Sequence, residues 1–198
     1  MKPASNPVDS EACSAESFQW QYGQHAAMIC SDGDLALFDN GNYRTKLADG
    51  RVLAPDNYSR VLKLHVDERA KTVALSWEWG RDLGSDHYCA LIGDIDELDA
   101  GHYLSAFGGH CLTGPGGEVS DSSALYIESS LFELSGNDVI WSLSSTPTSP
   151  IRSSAIYRAE RVEITSLSYS YDILSGSTWT GSAGVGAFWT HRYFTVHG

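Results

Sequence analysis

Val66-Asp-Glu-Arg-Ala-Lys-Thr-Val-Ala-Leu-Ser-Trp-Glu-Trp79 is the stretch that decides the fold. Apolar and polar residues alternate on both sides of Glu68-Arg69-Ala70-Lys71, the pattern of two half-buried strands joined by a polar turn. The alternation pairs Leu62–Val66 with Val73–Trp77 and leaves no helix in 59–80. Trp77 and Trp79, two apart, share one face, and one of them is expected to pack between repeating units. A counterpart, Leu131-Phe-Glu-Leu-Ser-Gly-Asn-Asp-Val-Ile-Trp-Ser-Leu-Ser144, follows about 65 residues later. A second echo links Leu35–Gly41 to Leu104–Gly109, about 69 residues on.

Outward from this hairpin, β-rich runs recur while capped helical patterns are absent. Strands are expected at Phe18–Tyr22, His25–Cys30, Leu35–Phe38, Arg60–Val66, Thr72–Trp79, Tyr88–Ile92, Tyr103–Phe107, Leu125–Leu134, Val139–Leu143 and Ala155–Ile164. Ser31-Asp32-Gly33, Asp99-Ala100-Gly101 and Ser135-Gly136-Asn137-Asp138 carry turn chemistry between them. The class is all-β. Periodic four-stranded units, with residues 25–79 and 88–144 as the bulk of two, suggest adjacent propeller blades. Two or three blades cannot close a ring, so a partial propeller within a larger assembly is expected, its flanking sheet faces open to water or to further copies of the chain. Residues 1–164 form the blade region. Residues 165–198, rich in Ser, Gly and aromatics, form a tail with no assigned role.

Charge excludes one class of partner. The net charge of -12 repels phosphate backbones, which argues against nucleic acid. No run reaches the roughly 18 apolar residues of a membrane span, and no apolar segment follows Lys2 to make a signal peptide. Cysteines at 13, 30, 89 and 111 form no C-x-x-C pair, so spacing gives no zinc site, and no cofactor is indicated. Two disulfides would admit three connectivities. Cys30 and Cys89, in apolar runs, read as buried free thiols.

Among the histidines, His65 alternates with apolar neighbours and should face solvent, and His102 sits at a hairpin turn. His87 follows Gly84-Ser85-Asp86 and His110 follows two glycines, positions suited to a channel mouth or pocket wall. His191 and His197 fall in the tail. His25 opens a strand in Trp20-Gln-Tyr-Gly-Gln-His-Ala-Ala-Met-Ile-Cys30, flanked by small residues that leave room beside its ring. Spacing alone also accommodates a hydrogen-bonded histidine at a strand end.

The segment from Trp20 to Gly41, with its Q-H-A-A core and F-D-N-G turn, resembles the characteristic segment of bacterial aryl-sulfate sulfotransferases. The similarity continues through Tyr58–Gly80, with V-D-E-R-A-K-T-V and W-E-W-G in order, to Ile156–Val162. It covers roughly residues 6–164. The resemblance implies a six-bladed β-propeller that moves sulfuryl groups from an aryl sulfate to a phenol without a nucleotide donor. It implies transient sulfation of a histidine, at His25 in this chain. The family's other active-site histidines, its asparagine and its arginine lie in earlier blades and have no counterpart here. The chain is thus expected to be a C-terminal portion, inactive alone, with Met1 an internal start. A family disulfide precedes the Q-H strand, where this chain has Cys13 without a partner. Export to the periplasm is implied for full-length relatives. The competing reading is a non-catalytic β-repeat module that binds through its edges or channel face.

Overall fold

The computed structural model describes residues 2–3, 18–45, 49–121, 126–147, 153–162 and 187–190. The first sheet is a meander of four antiparallel strands, β2 (Gln24–Ile29), β3 (Leu35–Asp39), β4 (Arg60–Asp67) and β5 (Thr72–Trp79). A short β1 (Lys2–Pro3) joins its outer edge, parallel to β5. The second sheet repeats the plan with β6 (Asp94–Asp99), β7 (His102–Leu112), β8 (Tyr126–Ser135) and β9 (Asp138–Ser145). Beyond it, β10 (Ala159–Val162) pairs antiparallel with β11 (Ala187–Thr190).

The central hairpin forms as its alternation requires. Val66 pairs with Val73, His65 with Ala74 and Lys63 with Trp77, and no helix interrupts 59–80. The three turn signals close the β2–β3, β6–β7 and β8–β9 hairpins. Both sequence echoes fall at equivalent places. Leu35–Gly41 contains the second strand of the first meander, and Leu104–Gly109 lies in the second strand of the next. The two long hairpins are the third and fourth strands of each sheet.

The core lies mainly between the two sheets. Phe38 and Val61 from the first meet Ile95, Phe107, Phe132 and Leu134 from the second. Both tryptophans, rather than one, pack across this interface. Trp77 stacks on Tyr103 with ring centroids 4.7 Å apart, and Trp79 meets Phe132 at 5.1 Å and Phe107 at 5.8 Å. Offset and edge-on aromatic pairs of this kind add about 0.5–1.5 kcal/mol each beyond the area they bury.

Four expectations change. Phe18–Tyr22 is not a strand; it is an irregular segment laid across the outer face of the first sheet, where Phe18 and Trp20 cover Leu37, Leu62, Leu64 and Val73. Tyr88–Ile92 is also not a strand, because its carbonyls accept side-chain hydrogen bonds from the first sheet instead of joining a ladder. The far face of the second sheet is covered by Ile156 and Ala159, packed on Leu104, Ala106 and Leu131. The flanking faces are therefore covered at these residues, not open to water. Exposed apolar residues concentrate instead on the outer strand β9, at Val139, Ile140 and Leu143. The strand expected over Ala155–Ile164 shortens to β10, and its last two positions lie outside the described residues.

Asp94, 3% exposed at the start of β6, ties β10 to the second sheet by accepting the Ala159 amide at 3.2 Å. Burial, reinforced by the charge of Asp96, pushes its carboxyl up to about 6. The folded state thus favours the protonated acid. The associated stability is complete below the ordinary carboxylate range and is lost as pH rises through about 6. The shift corresponds to a loss on the order of 2 kcal/mol between pH 4 and 7. Urea unfolding of the protein and of Asp94→Asn at both pH values should show the wild type losing that much more stability than the variant. Parallel pH dependence in the two would contradict this account.

Candidate active site

At the end where β2 begins and β3 finishes, Phe38-Asp39-Asn40-Gly41 brings two polar side chains into the interior, each fully buried. Strand alternation sends Asp39 and Asn40 in different directions. The Asp39 carboxylate collects four donors. Its Oδ2 accepts from Arg60 Nε at 2.8 Å and Arg44 at 3.2 Å, and its Oδ1 from the amides of Tyr22 at 2.8 Å and Gly41 at 2.9 Å. Arg60, itself completely buried, also holds Glu78 and the Gln19 carbonyl. Gly41 turns the chain at φ 79°, and a side chain there would collide with the Tyr58 carbonyl.

Asn40 faces the segment that connects the two sheets. Its Nδ2 donates to the carbonyls of Cys89 at 2.8 Å and Ile92 at 3.0 Å, and its Oδ1 lies 2.6 Å from Nδ1 of His25. Ser59 completes the lock, donating to the Asn40 carbonyl at 2.9 Å while accepting the Cys89 amide at 2.8 Å. The backbone on both sides is strained. Ile92 has φ 48°, rare for a β-branched residue, and Ala26 has φ 50°. Such conformations cost about 1–3 kcal/mol each and persist only where surrounding contacts fix them. Ala26 produces the register shift between His25 and Met28, a bulge that re-aims the start of β2. His25 is half-buried there, on the edge strand and opposite Phe38.

The other histidines separate cleanly. His65 is exposed and pairs with Asp34 at 2.8 Å. His102 begins β7, not the turn before it, and bonds Glu133 at 2.7 Å because the strand starts earlier than its apolar run. His110 lies within β7, where Gly109 lets the Leu91 backbone approach, and its Nδ1 bonds the Tyr88 carbonyl at 2.9 Å. With His87 it lines a cavity of about 100 Å³ edged by Glu128, Ser129 and Ser144. Burial, and then the neighbouring His110, holds His87 below the ordinary imidazole range. His191 and His197 lie outside the described residues. Cys30 and Cys89 are buried free thiols, Cys111 is buried in β7, and burial pushes the Cys89 thiol up to about 12, which makes it inert. Cys13 lies outside the described residues.

Sequence reading singled out His25 as a candidate and marked the F-D-N-G turn, but missed the contact that joins them. Asn40 as a partner, and the 88–92 segment as its anchor, need the two sheets to be packed before they meet.

These features define an all-β protein of two packed antiparallel meanders, with a histidine on the edge strand braced by a buried amide. The chain belongs to the arylsulfotransferase family: the model described as Arylsulfotransferase (ASST) matches residues 3–153. It is similar to the arylsulfate sulfotransferase AssT of Escherichia coli O6:H1 strain CFT073, at 34% identity over 97 residues, 49% of this chain and 16% of that protein. A second relative, arylsulfate sulfotransferase AssT of Lelliottia amnigena, is 31% identical over 100 residues, 46% of this chain and 16% of its own length. The chain thus matches about one sixth of the length of these curated relatives.

The Asp39 cluster should carry the local fold. Removing one partner of a buried ion pair typically costs about 3–5 kcal/mol, because the other charge is stranded. Asp39→Ala should therefore lower unfolding stability by about that amount, whereas Asp32→Ala, at the solvent-exposed carboxylate that pairs with Lys63, should cost far less. Chemical denaturation of both variants makes the comparison, and similar losses would contradict it.

Proposed function

We propose that this chain carries the nucleophile of an aryl sulfotransferase, His25, within blades of a six-bladed propeller completed by polypeptide beyond the matched region. The supporting observation is that the Q-H histidine sits at a strand edge with Nδ1 engaged by Asn40, while no hydrogen bond of the described residues engages Nε2. In this reading Nε2 attacks the sulfur of an aryl sulfate. The N–S bond forms as the S–O bond to the aryl group breaks, and the phenolate leaves and takes a proton from water. A phenol then attacks the same sulfur, the N–S bond breaks, and the phenol's proton passes to solvent. Splitting the transfer in two is the advantage of a covalent intermediate.

Charge develops on the sulfuryl oxygens and needs fixed cationic donors. The arginines nearest the F-D-N-G turn, Arg44 and Arg60, are already committed to Asp39. In this reading the donors come from polypeptide beyond the matched region, and this chain by itself is expected to be inactive. Residues 165–198 have no assigned part in the transfer. Work at an extracytoplasmic site, where an aryl sulfate would be met before entry, fits the same reading.

The test uses 4-nitrophenyl sulfate with a phenol acceptor. This chain by itself should give no transfer, since losing one such donor already costs about 100- to 1,000-fold. Fused behind the remaining length of the Escherichia coli relative, it should restore turnover. Peptide mass analysis after brief exposure to the donor should then find sulfate on the His25 peptide. His25→Ala should abolish both signals; full activity in that variant would remove His25 from the mechanism.

A further inference from the structure

We infer that Asn40 is the positioning residue of this site, fixing His25 as the Nδ1–H tautomer so that the Nε2 lone pair is presented outward. The inference rests on the reading of His25 as nucleophile but stands on separate observations. An amide can face an imidazole with either end, and the end decides which ring nitrogen bears the proton. At Asn40 the choice is already made. Two backbone carbonyls, of Cys89 at 2.8 Å and Ile92 at 3.0 Å, converge on one side-chain atom. Carbonyls only accept, so that atom must be the NH2. The other end is then the oxygen, and it lies 2.6 Å from His25 Nδ1. An oxygen with no hydrogen can only accept from a neutral ring, so Nδ1 carries the proton and Nε2 carries the lone pair.

The surroundings make a reversal costly. Asn40 is fully buried, so a flipped amide would set its oxygen against two carbonyl oxygens with no water to intervene. Ser59 pins both the Asn40 carbonyl and the Cys89 amide, which prevents the two segments from sliding apart to relieve a flip. A neutral imidazole in water favours the opposite tautomer, with its proton on Nε2 and the lone pair on Nδ1. Asn40 inverts that preference. As Nε2 bonds to sulfur the ring becomes cationic, and the same Nδ1–H···Oδ1 contact strengthens where the charge appears.

Long-range 1H–15N correlation spectra of the full chain report the tautomer directly. In the wild type the His25 Nδ1 should show the shift of a protonated nitrogen and Nε2 that of an unprotonated one. A protonated Nε2 in the neutral wild-type ring would overturn the inference, whatever any variant does. Asn40→Ala should move His25 toward the Nε2–H form. A tautomer unchanged in a folded Asn40→Ala protein would also overturn it. In the transfer-competent fusion, Asn40→Ala should lower kcat by at least about 10- to 100-fold, the loss seen when a partner that orients a metal-bound histidine is removed, with KM little altered. Unchanged kcat would contradict the positioning role. The two readings fail separately: an Nδ1–H ring that never acquires sulfate would count against His25 as nucleophile, while Asn40 would still set its proton.

Discussion

The buried carboxylate of Asp39 is the constraint on which the rest of this structure depends. It is an anion with no exposure to water, and it survives there because four donors surround it, two from guanidinium groups and two from backbone amides. Each donor belongs to a different stretch of chain. Arg60 begins β4, Arg44 follows the turn, Tyr22 precedes β2, and Gly41 is the turn itself. One carboxylate thus fixes the approach of β2, the exit of β3 and the start of β4 at a single end of the sheet. Hydrophobic packing between the sheets supplies bulk stability but is tolerant of small slips. The ionic cluster is not, because a slip leaves a charge without its partner.

The site inherits its geometry from that cluster. With Asp39 held in place, the next residue has little freedom, and its side chain emerges toward the connection between the sheets. There it meets the 88–92 segment, which stays irregular so that its carbonyls can serve as acceptors. Asn42, two residues further on, does the same with the Ala90 carbonyl at 2.8 Å. The connection between the sheets is therefore a template as well as a linker. Its shape costs backbone strain at Ile92, and Phe38 packs against Gly93 where any side chain would clash. Packing, strain and amide orientation form one continuous argument from the core to His25.

Much of this was legible in the sequence, for a physical reason. Hairpins are local: alternation, turn residues and the repeat of Val66–Trp79 at Leu131–Ser144 specify strand pairs without knowledge of the rest of the chain. The whole of β5 and the three turns followed from that. The misread segments, Phe18–Tyr22 and Tyr88–Ile92, are apolar and β-rich too, but they are used as a cover and as a set of acceptors. Composition does not distinguish a strand that pairs from an extended segment that packs. His25 could be singled out because small neighbours and the Q-H-A-A segment made it unusual. Asn40 could not, since a buried asparagine and a turn asparagine look alike until a partner 49 residues away, Cys89, is brought beside it.

The neighbouring positions 39 and 40 show why an acid and an amide are not interchangeable here. Asp39 meets only donors, so an acceptor-only group suits it, and its charge answers that of Arg60. Asn40 meets two acceptors on one side and an imidazole on the other, so it needs both kinds of end in one side chain. A carboxylate at position 40 would face the Cys89 and Ile92 carbonyls with nothing to donate. An amide at position 39 would point a donor at a guanidinium and remove the anion that Arg44 and Arg60 share. The order Asp-Asn is thus forced by what lies on either side of the chain. A turn that would otherwise need only a small polar residue and a glycine carries the charge that holds the sheet together and the dipole that aims the histidine.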